Sequence, residues 1–442
     1  MIPSLDDNNS LEAQFLVAQA LVAASATNGQ TDGFDAFREA GRIRFSSQGF
    51  PAPRTELWKY TPVRRWLKTD FSFDSGVGFS ELPSSEYRGD IGSYHAVCVD
   101  GIFIPSLSSI PDKDEFEGYI GAISKAKMPL DRLLSHLETI NPRTETAFDA
   151  LNQSFFQDGL LVHIPHDTEL AEPLYITNLV TSGSNAFMQP RTLIVAESAS
   201  KGAIIDLRDH DSGITTFENS VTQIHVGSGA QLDYYHVFDR GPLSHLIRKL
   251  NVYQEADSTC STNELILSGA LVRTDLNFLP DGEGCTTNLN GFYLAQSDTH
   301  IDVHTMVDHA KPDCVSNELF KGIIGDTATA VFNGRVLVRQ DAQRINAYQS
   351  NRNIVLSDTA KMFSKPELEI YADDVKCSHG ATTGQIDSEA MFYLRSRGIK
   401  ESVARNLLLQ AFAADVLALV SVDSLRERLQ EIVAERLRKQ SG

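Results

Sequence analysis

The chain has 442 residues, with 39 Lys+Arg against 58 Asp+Glu and a formal charge of −19 at pH 7. A field of that sign repels phosphate backbones and anionic lipid, so neither nucleic acid nor a membrane surface is an expected partner. With 42% hydrophobic and 22% charged residues, the composition is that of a folded globular protein and too apolar for disorder.

Five cysteines (Cys98, Cys260, Cys285, Cys314, Cys377) lie far apart without a CxxC pair. The odd count argues against a disulfide framework and for a reducing compartment. Residues 1–10 are acidic and polar, without the basic region that opens a signal peptide, and the apolar run 15–24 is too short to cross a bilayer. A cytoplasmic chain is the expectation.

Residues 1–155 read as a helix-rich region. Leu11, Phe15, Ala18 and Val22 recur at helical spacing, and 34–45 carries a second amphipathic pattern ended by Gly49 and Pro51. The string Glu56-Leu57-Trp58-Lys59-Tyr60-Thr61 concentrates aromatics beside charge and reads as a packing cluster flanking a helix. Residues 82–114, rich in Pro, Ser, Asp and Gly, predict loops and short strands, and 129–151 returns to a helical period.

Residues 156–380 change character. Short β-rich runs at 192–195, 204–207, 222–226, 232–237, 250–253, 263–267, 321–324, 331–338, 353–356 and 367–371 alternate with turns. Ser198, Ser228 and Asp257 stand 30 and 29 apart, then Asp298, Asp326 and Asp358 stand 28 and 32 apart, the last two opening the same Asp-Thr-Ala tripeptide. A drifting period near 30 with two strands per period predicts stacked β-coils, that is, a β-helix. No helical pattern separates the strands, which excludes βαβ units, and the absence of a strict six-residue repeat disfavours the left-handed hexapeptide type. A β-sandwich or propeller is the alternative. The amides Gln340, Gln343, Asn346, Gln349, Asn351 and Asn353 predict a side-chain ladder inside the stack.

Residues 381–442 are helical in pattern. Asp387 can cap a helix over 388–397 that stops at Gly398. A second helix carries the apolar stripe Val403, Leu407, Leu408, Phe412, Val416 and Leu417. A third buries Leu425, Leu429, Ile432, Val433 and Leu437, and exposes the pairs Arg428–Glu431 and Glu435–Lys439.

Several chemistries are excluded by what is missing. No GxxxxGK[ST] occurs, so this chain should bind no nucleotide through a P-loop, and GxGxxG, GxSxG and HExxH are absent too. The densest polar cluster spans 371–384. Cys377 and His379, two apart on an extended segment, share a face and could meet one soft metal. Lys376 would favour the thiolate, and Gly380 and Gly384 would allow close backbone approach. Two ligands leave a tetrahedral metal half-bound, however, so residues alone favour a packed cysteine and a structural histidine. The scattered set His300, His304, Asp308, His309 and Cys314 likewise favours polar residues on a coil turn, with no ligand spacing to support a metal and no role assigned.

The 366–384 string PELEIYADDVKCSHGATTG, followed by MFYLRSRGI at 391–399, resembles the C-terminal signature of the SufB/SufD family of iron–sulfur cluster assembly scaffolds. Phe332-Asn333-Gly334, Ala342-Gln343, Leu356-Ser357 and the His304, Asp308, His309 spacing are similar to the same family. Glu56–Thr61 and the 150–159 string ALNQSFFQDG resemble its SufD branch. The resemblance implies a right-handed parallel β-helix flanked by helical N- and C-terminal regions, divided near 1–155, 156–380 and 381–442. It implies a non-catalytic scaffold in complex with a SufB-like subunit and SufC-like ABC ATPases, which would supply the missing nucleotide site. His379, with Cys377 as a less certain companion, would be a ligand to a transient iron–sulfur cluster at the subunit interface. The C-terminal helical region would dock the ATPase, with Arg405, Leu408 and Phe412 as candidate contacts. The resemblance leaves open whether a flavin binds this chain or its partner, and an exposed strand edge would also let the isolated chain form a homodimer. Two rival classes are a carbohydrate-active β-helix enzyme using Asp373 and Asp374, and a structural binding module that carries no ligand.

Overall fold

The computed structural model describes residues 11–439 apart from 28–32, 53–54, 68–70, 74–78, 80, 89–93, 140–144, 182–184 and 211–212. It is 42% strand and 24% helix, a parallel β-solenoid of about 8 turns with helices at both ends of the chain. From Arg191–Ala196 onward successive strands alternate between two sheets, and each pairs in parallel with the strand two further on, whereas Tyr94–Val99 with Ile102–Phe103 and Tyr119–Ala122 with Leu160–Ile164 are antiparallel pairs. One sheet runs from Tyr94–Val99 through Leu174–Leu179, Lys201–Arg208, Gln231–Phe238, Thr259–Ile266, Thr286–Ala295, Val315–Ile324 and Ile345–Val355 to Val375–Gly384. The other ends in Thr329–Val338 and Lys361–Ile370. The strands exceed the short apolar runs visible in the sequence because every coil also carries polar positions that the ladder pairs as readily.

The predicted turns prove to be two stacks rather than one. Asp167, Ala199, Gly229, Asp257, Gly284, Asp313 and Arg344 all have positive φ. Each of them donates its backbone N–H to a carbonyl of the next coil, as Asp257 does to Glu283 at 2.8 Å and Arg344 to Asp374 at 2.6 Å. Ser198, Ser228 and Asp257 mark that corner. Asp298 and Asp326 belong to the opposite one, where Thr327 donates to the Ser297 carbonyl at 3.0 Å. The irregular gap between Asp257 and Asp298 is the switch from one corner to the other.

Alternate residues point into and out of the stack. Ile204, Leu232, Tyr234, Leu250, Leu276 and Ile324 fill the interior. Outward neighbours in the first sheet, including Ile205, Tyr235, Val237, Phe292 and Ile323, are buried by the C-terminal helices Glu401–Leu417 and Asp423–Lys439. Phe187, Phe217 and Ile247 on the second sheet are buried by the N-terminal segment, with Phe15, Phe45, Trp58 and Phe148. Helices at both chain ends therefore clad opposite faces of the coil stack. Asp149 ties one of them down: buried itself, it accepts from the Thr146 backbone at 2.7 Å and from Lys249 on the second sheet at 2.6 Å.

The helix Ser388–Ser396 starts as predicted, with Asp387 accepting from the Glu389 and Ala390 backbones, and Gly398 follows it at φ 83°. The stripe on Glu401–Leu417 is rotated from the predicted one. Ala404, Leu409, Ala413, Val416 and Leu417 are buried, whereas Val403 is 48% and Leu407 45% exposed. On the last helix the predicted five residues are all buried. The helical pattern over 129–151 divides into Leu130–Glu138 and Ala147–Ser154.

Candidate functional site

The coil stack ends in two strands that each have one neighbour. Val375–Gly384 pairs only with Ile345–Val355, and Lys361–Ile370 only with Thr329–Val338, among the described residues. Neither terminal strand has a single buried residue. Such an edge is a row of backbone groups available to another chain. Tyr348 stands exposed beside it, and Tyr371, at the adjoining corner, is 64% exposed.

Register decides where Cys377 and His379 face. On Ile345–Val355, burial falls on Ile345, Ala347, Gln349, Asn351 and Asn353, the inward row. Cys377 lies against Ala347 and His379 against Gln349, so both continue that row into the mouth of the solenoid. Cys377 is half-buried, packing with Leu368 and Val375 against Val336, Val338 and Ala347. His379, one pleat on, is exposed. The shared face predicted from their spacing is present.

Two predicted details are corrected. Burial, not Lys376, dominates the Cys377 thiol and pushes its pKa up, with the Ala347 backbone partly opposing. Gly380 and Gly384 have nothing within 4 Å of where a Cβ would stand, so no close contact within this chain requires a glycine at either position.

The floor of the mouth is polar. Thr305 donates to Glu318 at 2.5 Å, and Gln349 donates to the other Glu318 oxygen at 2.9 Å. Asn353 donates to Asn351 at 2.7 Å, and Tyr293 donates to Asn353 at 2.5 Å. Of the predicted amide ladder, Gln349, Asn351 and Asn353 line this floor, while Gln340 and Gln343 are not buried and sit at a corner. Burial pushes the Glu318 carboxyl up to about 7. Glu318 escaped the sequence reading because a lone glutamate in a strand carries no pattern.

The other predicted clusters do not converge. His309 is buried, its Nε2 2.9 Å from the Ser316 hydroxyl, and burial lowers its pKa to about 4. Asp308 accepts two bonds from Arg339 at 2.8 and 2.9 Å. His304 pairs with Asp302 at 2.9 Å and lines an outer cleft of about 680 Å³ beside Tyr60 and Phe363. Cys314 hydrogen-bonds with Cys285, which lies one coil earlier, and both are free thiols. Asp373 and Asp374 are turn residues, and the Asp374 backbone donates to Gln343 at 2.9 Å. Trp58 is a packing residue, with the Arg273 guanidinium 3.8 Å from its ring centre.

No group of three or more His, Cys, Asp or Glu side chains that could hold a metal occurs among the described residues. His379 and Cys377 are thus a partial donor set on an open edge, which can hold a metal species only with ligands from elsewhere. Of the three candidate docking residues, Arg405 and Leu408 are half-buried. Phe412 is engaged by the coil stack, with the Lys321 ammonium 4.4 Å from its ring centre. The freely exposed apolar side chains of this region are instead Val403, Leu407, Leu419, Tyr393 and Phe392, the last 75% exposed. No helix among the described residues is long and apolar enough to cross a membrane.

Comparison with known proteins agrees with this architecture. Residues 179–412 match the family model for the SufBD core domain of SUF system FeS cluster assembly, and 11–176 match that for the SufBD protein N-terminal region. A Synechocystis iron–sulfur cluster assembly SufBD family protein is 31% identical, over 95% of this chain and 94% of its own. The iron–sulfur cluster assembly protein SufD of Escherichia coli is 30% identical, over 88% of this chain and 90% of its own. A Mycobacterium tuberculosis SufBD family protein is 28% identical, over 89% of this chain and 91% of its own. The chain belongs to the SufBD family of iron–sulfur cluster assembly proteins.

Proposed function

We propose that this chain is a non-catalytic scaffold subunit of a SufB–SufC–SufD type complex. Its open coil end pairs with a SufB-like subunit, and its C-terminal helices dock a SufC-like ABC ATPase. The nascent iron–sulfur cluster, the cargo, is held at the seam by His379 together with thiolates or carboxylates of the second subunit, with Cys377 as an auxiliary ligand. The carrying observation is His379 itself: an exposed imidazole on the inward row of an unpaired terminal strand, with too few donors around it for a complete site.

The reasoning is physical. Pairing a second solenoid against Val375–Gly384 satisfies a free strand edge and extends the sheet. A ligand set divided between two chains can be assembled and opened, as a scaffold that hands on its cargo requires. The exposed Phe392, Tyr393, Val403 and Leu407 form the ATPase-facing surface, and Arg405 and Leu408 lie on the same helix as the last two. No nucleotide is bound by this chain in this reading, and the isolated chain pairs with itself through the same edge. The setting is the cytoplasm.

Co-purification tests the pairing. Lysines at Gly380 and Thr382 place charge on the edge, and the doubly substituted chain should no longer pull down a co-expressed SufB-like subunit while still retaining the ATPase. Unchanged recovery of both would remove the edge from the interface.

A further inference from the structure

Gln349 is held from one side only. Its amide nitrogen donates to Glu318 at 2.9 Å, and Glu318 is fixed in turn by the Thr305 hydroxyl at 2.5 Å. The amide carbonyl oxygen, on the opposite branch of the same group, is buried without a hydrogen-bond partner. An acceptor stripped of water and left unbonded is uncommon inside folded proteins and costs stability. Room for this amide is made by Gly334, whose Cβ, were there one, would stand 2.5 Å from the Gln349 nitrogen. One glycine and the side chains of Glu318 and Thr305 thus fix a carbonyl oxygen that no described residue uses.

The next residue along that inward row is His379, directly in register with Gln349 on the terminal strand. Adjacent strands lie ~4.8 Å apart, so neighbouring side chains on one row are within reach of each other. The His379 side chain is exposed. A histidine that ligates a metal through one nitrogen commonly donates its other N–H to a fixed acceptor, which sets the tautomer and aims the ring.

We infer that Gln349 is the positioning residue for His379: its carbonyl oxygen accepts the imidazole N–H and leaves the other ring nitrogen unprotonated and turned toward the second subunit. Glu318, Thr305 and Gly334 hold the amide in the orientation that makes this possible. The consequence for iron binding rests on the reading of His379 as a cluster ligand. The tautomer lock itself does not.

The test uses the full chain labelled with 15N, with the His379 ring signals assigned by their loss in His379→Ala. The wild-type ring should show one protonated and one bare nitrogen, a single tautomer. Gln349→Met, close in shape and lacking the acceptor, should give the averaged shifts of two tautomers. Gly334→Ala, which displaces the amide without changing its chemistry, should shift the ratio in the same direction. The double variant Glu318→Gln/Gln349→Glu restores an acceptor at 349 and should restore the single tautomer. Two tautomers in the wild type, or a Gln349→Met ring indistinguishable from it, would overturn the proposal. In the assembled complex, iron retention should fall ~10–100-fold in Gln349→Met and recover in the double variant. A tautomer lock that responds as described while iron retention ignores both Gln349→Met and His379→Ala would uphold the positioning and refute the ligand role.

Discussion

Lys321 donates its ammonium to the Phe412 main-chain carbonyl at 3.0 Å and stands 4.4 Å from the centre of that residue's ring. The same ammonium bonds Asp415. One buried lysine on a coil strand therefore anchors the C-terminal half of the helix proposed to dock the ATPase. A movement of that helix cannot leave the coil stack unaffected while this contact persists.

Replacing Lys321 by methionine should loosen the helical end more than the solenoid. The lost charge-assisted bonds are worth roughly 1.5–3 kcal/mol. Hydrogen exchange should show faster opening of Glu401–Leu417 with protection of the central strands retained. Equal loss across both regions would mean the two unfold as one unit.

Inside the solenoid lies a charged layer the sequence did not announce. Arg208 bonds Glu218 at 2.6 Å and pairs with Asp206, while Arg240 bonds the other Glu218 oxygen at 2.8 Å. Arg248 reaches Glu264 at 3.0 Å and His236 reaches it at 2.7 Å. Arg208→Met strips buried Asp206 of its cationic partner, leaves Glu218 with Arg240 alone, and should cost about 3–5 kcal/mol, read as a fall in the urea midpoint. A change below ~1 kcal/mol would show that water enters this layer.

Glu318 gives a pH signature. An ordinary glutamate ionises near 4.5, whereas burial holds this one to about 7. Between those values the unfolded chain has lost a proton that the folded chain keeps, so its contribution is full below 4.5 and disappears as pH rises through 7. The contribution is on the order of 3 kcal/mol. Urea titrations of the wild type should therefore lose stability across that window relative to Glu318→Gln, and parallel pH profiles for the two proteins would contradict the assignment.

Ala199 occupies a corner position at φ 58°, where its neighbours in the stack at the next two coils are Gly229 and Asp257. The left-handed conformation costs a residue with a Cβ about 1 kcal/mol. Ala199→Gly should raise stability by up to ~1 kcal/mol, measured by thermal melting. Destabilisation would indicate that the methyl group is needed for packing.

Those corners show why the sequence was legible in part. Period, turn chemistry and the switch to a helical pattern after Gly384 all depend on local constraints, and each survives in the one-dimensional string. Only Gly229 and Gly284 mark their corner in the expected way, whereas Asp167, Asp313 and Arg344 adopt the same conformation and gave no warning. The helix stripe was misplaced because Val403 and Leu407 are apolar yet exposed, and in a sequence exposed apolar residues at helical spacing look like core. Cys377 and His379 were singled out as candidates by spacing and resemblance, and their shared face follows from the strand register. Glu318 and its bond to Gln349 join residues 31 apart, and only the coil register brings them together.

Iron and sulfide retained by the complex after anaerobic reconstitution, compared between wild type and His379→Ala, tests the shared seam most directly. His379 is exposed and outside the core, so the variant should fold and co-purify as the wild type does, within ~0.5 kcal/mol of its stability. Its retained iron should nevertheless fall ~10-fold or more, at least as far as in Gln349→Met. Full retention in an intact complex would show that the cluster is held entirely by other residues.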